Sequence, residues 1–225
     1  MGMPHGLLAA VHLPDSPDDV PAAVLDRLPP IEAAHAVSLR GYRQAQFVGG
    51  RLALRIAATQ LGWQLPPALS TERGAPILPK GLVGSISHKR TLAVALLAQD
   101  HGWTLGVDLE DYSPARPSIE SHVLRPEEIE SLTGMPDDRR WIALVQRFSL
   151  KEAVYKALDP LVHRYVGFHE ASVAIELDGE AFVTLSLTER EGPFDVEART
   201  AWIHGRIVSS VRIRAALVVP NEDRR

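Results

Sequence analysis

The sequence predicts an α+β protein in which two stretches of helical pattern are each followed by strand-like segments. Three observations carry this. Apolar residues recur at helical spacing from Pro30 to about Leu61 and again from about Asp138 to Leu158. Short strand-like runs follow each stretch, "LVGSISH" and "TLAVALLAQ" after the first, "ASVAIEL" and "AFVTLSL" after the second. No sequence repeat recurs at a fixed period, so any likeness between the halves rests on element order alone.

Taken in order, Leu7 to Leu13 reads as a first strand, closed by a turn rich in Pro and Asp. Within the first helical stretch, Gly49 and Gly50 mark either a kink or the close approach of another group. The proline-rich "QLPPALSTERGAPILPKG" then leads into the two short strands, and "WTLGVDLED" reads as a further strand with its charged end last. Helical segments are expected over Ser118–Val123 and Pro126–Leu132, and the longer helix is expected to end at the "DP" after Leu158. "ARTAWIHGRI" and "SSVRIRAALVV" complete the strand series, and "PNEDRR" reads as a frayed tail.

With 45% hydrophobic and 23% charged residues, the 225-residue chain can bury a substantial core as one domain or two small ones. The formal net charge of −4 offers no global basic field for nucleic acid, although local basic clusters suit a phosphate-rich small molecule. The absence of cysteine excludes disulfides, thiolate metal sites and a cysteine nucleophile, and fits a cytoplasmic setting. "MGMPHGLLAAVHLPDSPDD" lacks the positive n-region of a signal peptide, and no apolar run approaches the ~20 residues that span a bilayer, so no membrane partner is expected.

The chemistry-bearing residues lie in "LGVDLED" and "RFSLKEAVYKAL". Asp108 and Glu110, two apart on a strand, project from one face and can converge on one ion, while Leu109 turns back into packing. Oxygen ligands of this kind suit Mg²⁺ completed by water and substrate phosphates. The plain alternative is a solvated strand end. On the helix, Leu150, Ala153, Val154, Ala157 and Leu158 form a buried stripe, and Glu152 and Lys156 share another face one turn apart. They form either an ordinary i, i+4 ion pair or a carboxylate for a cation beside an ammonium for a phosphate. Arg73, Lys80, His88, Lys89 and Arg90 cluster among glycine and proline turns, but without the spacing of a P-loop. Ser87 beside His88 raises a hydrolase reading, which no G-x-S-x-G elbow supports.

"GVDLE" followed by "FSLKEAVYKA" resembles the two signature motifs of the 4′-phosphopantetheinyl transferases. "ERGAPILP", "GSISHKR" and "RQAQFVGGRLALR" resemble further segments of the larger, surfactin-synthetase-activating and enterobactin-type branch. The resemblance covers about residues 40 to 160; the C-terminal strands carry no matching signature. It implies transfer of the 4′-phosphopantetheine arm of coenzyme A to a serine of an apo acyl, peptidyl or aryl carrier protein, with release of adenosine 3′,5′-bisphosphate. It further implies a monomer of two similar α+β halves, here divided as residues 1–107 and 108–225, with coenzyme A between them and Mg²⁺ or Mn²⁺ as the cation. Polyketide, nonribosomal peptide or siderophore assembly is the implied setting. By the same resemblance Asp108, Glu110 and Glu152 would hold the metal, and Lys156 would neutralise a phosphate. Arg51, Arg73, Ser87 and His88 would meet the coenzyme A phosphates. Glu128, with Glu127 beside it, would stand next to the metal or act as a base; the alternative is an acid in a helix's first turn. Competing functions are a Mg²⁺-dependent phosphodiesterase or pyrophosphatase on the same carboxylates, and a silent coenzyme A-binding module.

Overall fold

The helical and strand patterns settle into two antiparallel sheets, each crossed by one long helix. The computed structural model describes residues 2–113, 116–188 and 190–216. The first unit holds β1 (Gly2–Met3), β2 (Gly6–His12), α1 (Ala22–Leu25), α2 (Pro30–Ser38), α3 (Tyr42–Gln60), β3 (Leu82–His88) and β4 (Leu92–Gln99). The second holds β5 (Thr104–Glu110), α4 (Glu120–Val123), α5 (Pro126–Ser131), α6 (Asp137–Val162), β6 (Ala171–Ile175), β7 (Glu180–Leu185), β8 (Phe194–Ile203) and β9 (Arg206–Ala215). Strand order is β1-β2-β4-β3 in one sheet and β5-β9-β8-β7-β6 in the other. In both units a strand precedes the long helix, and the last strand returns to pair antiparallel beside it, β4 on β2 and β9 on β5. The duplication implied by element order is therefore present as topology. The division expected between residues 107 and 108 falls inside β5, which pairs with β9 along its whole length.

The unbroken apolar run of β4 follows from cover on both faces. Ala95 and Leu97 pack with Ala53, Leu54 and Ala57 of α3, whereas Leu92, Val94 and Leu96 pack with Leu105, Val107 and Leu109 of β5. That second cluster is the seam between the units, and Leu109 is in it, as the strand periodicity requires. α3 continues unbroken through Gly49 and Gly50, which settles the two glycines as a close approach rather than a kink. A Cβ on Gly49 would stand 2.3 Å from Leu13 Cδ2 and 3.2 Å from the Ala93 Cβ.

Two expectations need correction. α6 does not stop before "DP" but runs through Pro160 to Val162. The proline falls in the last turn, where its missing N–H removes one helix bond, and His163, at φ 54°, closes the helix by donating its N–H to Asp159 O at 3.0 Å. "ARTAWIHGRI" is not one strand but the tip of a hairpin. His204 and Gly205, at φ 50° and 74°, make the two-residue positive-φ turn that joins β8 to β9. The "PNEDRR" tail lies outside the described residues.

The stripe Leu150, Ala153, Val154, Ala157 and Leu158 is buried against Val211, Ile213 and Ala198. Gly106 brings helix and strand together at backbone distance. A Cβ there would lie 1.8 Å from Ala153 O. Because β5 alternates, Gly106, Asp108 and Glu110 share the face turned to α6, so this approach sets the height of the acids under the helix. Gly106→Ala should destabilise the fold by about 3 kcal/mol, as overpacking against backbone does. Urea unfolding measures it, and an unchanged midpoint would contradict the packing described.

Candidate active site

Asp108 is the buried centre of the site. Its Oδ1 accepts from Ser87 Oγ at 2.9 Å and from Lys156 Nζ at 2.7 Å, while its Oδ2 is buried without a hydrogen-bond partner. Each partner comes from a different element. β3 and β5 are edge strands of their respective sheets, and Ser87 Oγ also accepts from Leu109 N at 3.2 Å, bridging the seam. Lys156 descends from α6 and also donates to Val107 O at 3.0 Å. It reaches Asp108 rather than forming an i, i+4 pair with Glu152.

Around Asp108 lies a cavity of about 400 Å³ lined by Ser87, His88, Lys89, Glu110, Phe148, Glu152 and Lys156. The strand acids and the helix acid thus meet. Lys89 Nζ pairs with Glu110 Oε1 at 2.5 Å. Burial, and next the Asp108 charge, push the Glu110 carboxyl up to about 7 against the pull of Lys89. The same two causes raise Glu152 above the usual carboxylate range. His88 stands at the rim, where partial desolvation and then the Lys156 and Lys89 ammonium groups hold its imidazole below the ordinary value.

Ile86 and Lys156 line this cavity and also a second one of about 360 Å³ between the units, lined further by Arg73, Gly84, Leu105, Tyr155 and Asp159 among others. Arg73 crosses it. Its Nε is 2.7 Å from Asp159 Oδ1, and its Nη1 donates to His163 O at 2.9 Å. Arg51 lines neither cavity. It is buried on α3, its guanidinium 4.7 Å from the Phe47 ring centroid and its Nη2 donating to Ser70 Oγ at 2.7 Å. Its place is behind the loop that carries Arg73, and burial lowers its pKa.

The base or metal-adjacent role expected for Glu128 meets a different geometry, because Glu128 does not line the acidic cavity. Its Oε2 takes the Arg125 N–H at 2.8 Å and the Lys151 ammonium at 2.5 Å, and its Oε1 takes the Val173 N–H at 2.8 Å. It caps α5 and anchors α6 and β6 from within. Glu127 is exposed and paired with Arg125. The residues that sequence reasoning left unassigned are Lys89, as the counter-charge of Glu110, Phe148 in the cavity wall, and Asp159 opposite Arg73. Lys89 had a signal, adjacent to His88 at a strand end; Asp159 was hidden in what read as a helix stop.

Among the described residues, no three acidic or imidazole side chains close into a cage able to hold a metal unaided. Mg²⁺ does not require one, since it keeps several waters and binds through one or two carboxylates plus substrate oxygens. The unpartnered Asp108 Oδ2, with Glu110 and Glu152 on the same cavity, fits that kind of donor set.

Residues 31–98 match the 4′-phosphopantetheinyl transferase N-terminal domain, and residues 104–210 match the 4′-phosphopantetheinyl transferase superfamily. The 4′-phosphopantetheinyl transferase Svp of Streptomyces mobaraensis is 33% identical over 89% of this chain and 83% of its own length. The chain belongs to the 4′-phosphopantetheinyl transferase superfamily. Enterobactin synthase component D of Salmonella typhimurium is 33% identical over 58% of this chain and 54% of its own. The transferase PptT of Mycobacterium tuberculosis is 32% identical over 60% of each. Among solved structures, a holo-(acyl-carrier-protein) synthase of Bacillus anthracis, in complex with CoA, overlies 50% of this chain and 96% of its own at TM-score 0.40 and 19% identity.

Glu128 offers a test that separates support from catalysis. Its side chain and that of Lys151 are 3% and 1% exposed. Glu128→Gln strands a buried ammonium and should cost about 3–5 kcal/mol of stability. Adding Lys151→Met should restore part of it. Urea unfolding of both variants reads this, and a single variant as stable as wild type would return Glu128 to the catalytic candidates.

Proposed function

We propose that this transferase moves the 4′-phosphopantetheine arm of coenzyme A onto a serine hydroxyl of an apo carrier protein, releasing adenosine 3′,5′-bisphosphate. The observation that carries it is Asp108, half engaged and half unpartnered, in an acidic cavity that shares Lys156 with a cleft walled by both units. Lys156 lines both cavities, with Asp108 on one side of it and Arg73 on the other, an order that suits an extended diphosphate. Both walls come from one chain, so a monomer suffices.

Asp108, Glu110 and Glu152 would hold Mg²⁺ or Mn²⁺. Bound there, the ion supplies a positive charge for the pyrophosphate oxygens as the phosphoanhydride breaks. Lys156, 2.7 Å from Asp108, would neutralise a phosphate held beside it. Arg73 and Lys89 would add positive charge along the path of the diphosphate, and the His88 imidazole would offer it an N–H. The serine oxygen attacks the phosphorus that bears the pantetheine arm, the bond to the nucleotide phosphate breaks, and the serine proton passes to a base. Glu152 would suit that role, because it lines the same cavity as Asp108 and, among the described residues, no lysine is bonded to it. In-line displacement brings the acceptor to the side away from the nucleotide. There, at the Glu110 end, Tyr112 and Trp202 stand exposed with ring centroids 5.5 Å apart, an apolar landing for a carrier domain. The hydrolase reading has no comparable support, since the named relatives are transferases or a synthase component.

Incubation with coenzyme A, Mg²⁺ and apo carrier proteins should add the phosphopantetheine mass to a carrier, and Asp108→Ala should abolish the gain. Coenzyme A consumed while all carriers stay unmodified would instead favour hydrolysis. The pH dependence follows from Glu110, whose carboxyl is raised to about 7 from the ordinary 4.5. In the metal-free protein its protonated form is favoured by the fold. That contribution is full below about 4.5 and is lost as pH rises through about 7. A cation needs the ionised form, so Mg²⁺ affinity should fall about tenfold per unit as pH drops below 7. Calorimetric titration at pH 6 and 8 tests it; equal affinities would remove Glu110 from the metal site.

A further inference from the structure

The cation that crosses the cleft is already occupied. Arg73 sits on the loop between α3 and β3 and reaches the far end of α6, where its Nε lies 2.7 Å from Asp159 Oδ1 and its Nη1 donates to His163 O. A guanidinium grips phosphate best with two nitrogens along one edge. With Nε turned to Asp159 and Nη1 spent on a carbonyl, neither edge of Arg73 is wholly free. Asp159 also places a negative charge at the C-terminal end of α6, where the helix dipole is itself negative. A phosphate entering this cleft meets one carboxylate of its own sign, already engaged with the arginine that could bind it.

The pair does little for the fold. Arg73 is 42% exposed, and ion pairs of that exposure add about 0–1 kcal/mol. Its geometry points the same way, for Asp159 Oδ1 is buried and yet makes no aligned hydrogen bond. Such a contact is readily exchanged for a better one.

We infer that Asp159 is an affinity-setting residue that competes with the ligand's phosphate for Arg73, so that cofactor binding proceeds by exchange of one anion for another. This rests on the reading of the cleft as the coenzyme A site. Asp159 does not line the acidic cavity, and its effect passes through Arg73. The consequence is a gain on removal: without Asp159 the ligand binds more tightly, and the product nucleotide does too.

Isothermal titration of coenzyme A, adenosine 3′,5′-bisphosphate and phosphate-free pantetheine into wild type, Asp159→Asn, Asp159→Ala and Arg73→Ala tests this. Both Asp159 variants should bind the two nucleotides about threefold more tightly or better, the scale of one partly exposed ion pair. Pantetheine binding should not change, and Arg73→Ala should weaken both nucleotides. The alanine variant keeps the test alive if the asparagine variant folds poorly. Unchanged or weaker nucleotide binding in a folded Asp159 variant overturns the competition, as does an equal gain for pantetheine. Wild-type protein that binds neither nucleotide would instead overturn the coenzyme A reading itself.

Discussion

The molecule is organised around one buried carboxylate that three elements share. Asp108 sits on an edge strand of the second sheet, takes a hydroxyl from the neighbouring edge strand of the first, and takes an ammonium from the long helix above. An ionised group at that depth is tolerated only when paired and hydrogen-bonded. The two sheets and α6 therefore have to meet at one height for the charge to be stable. Gly106, two residues earlier on the same face, sets that height by letting the helix backbone lie directly on the strand. The seam cluster of Leu92, Val94, Leu96, Val107 and Leu109 fixes the lateral position, and the polar contacts select the register.

The acids are not all equally compensated. Asp108 has Lys156 and Glu110 has Lys89, whereas Glu152 has no lysine bonded to it. Burial and the Asp108 charge push the proton affinities of Glu110 and Glu152 upward, and that of Glu110 rises to about 7 even with Lys89 beside it. The lysines serve twice. Without a ligand they offset the carboxylates; with a diphosphate in place their charge is available to its oxygens.

Much of this was legible in the chain because it depends on period. Alternation put Asp108 and Glu110 on one face and Leu109 on the other, and the i, i+4 spacing put Glu152 and Lys156 together on a face of α6 beside its buried stripe. Glu128 was read differently from its place in the structure because a first-turn acid looks the same whether it faces solvent, a metal or the interior. What decides it is Lys151, and its burial depends on α4 and α5 folding over α6, a long-range packing fact without a local signature. The end of α6 was misjudged for the opposite reason. The proline signal is real, but in a last turn it removes a single bond, and tertiary packing of Leu158 and Ala157 outweighs it.

Counter-ion exchange gives the two ends of the cleft a common logic. At one end Lys156 rests on Asp108, at the other Arg73 rests on Asp159, and between them runs the space a diphosphate would fill. The two pairs differ in burial, and this decides what each can do. The Asp108 side chain is 6% exposed and is held by Ser87 as well, so it stays in place while charges around it change. Arg73, far more exposed and poorly aligned with its partner, is free to change partners. On the proposed reading, a buried acid at the reacting end and an exchangeable pair at the nucleotide end would let ligand enter and leave without disturbing that carboxylate.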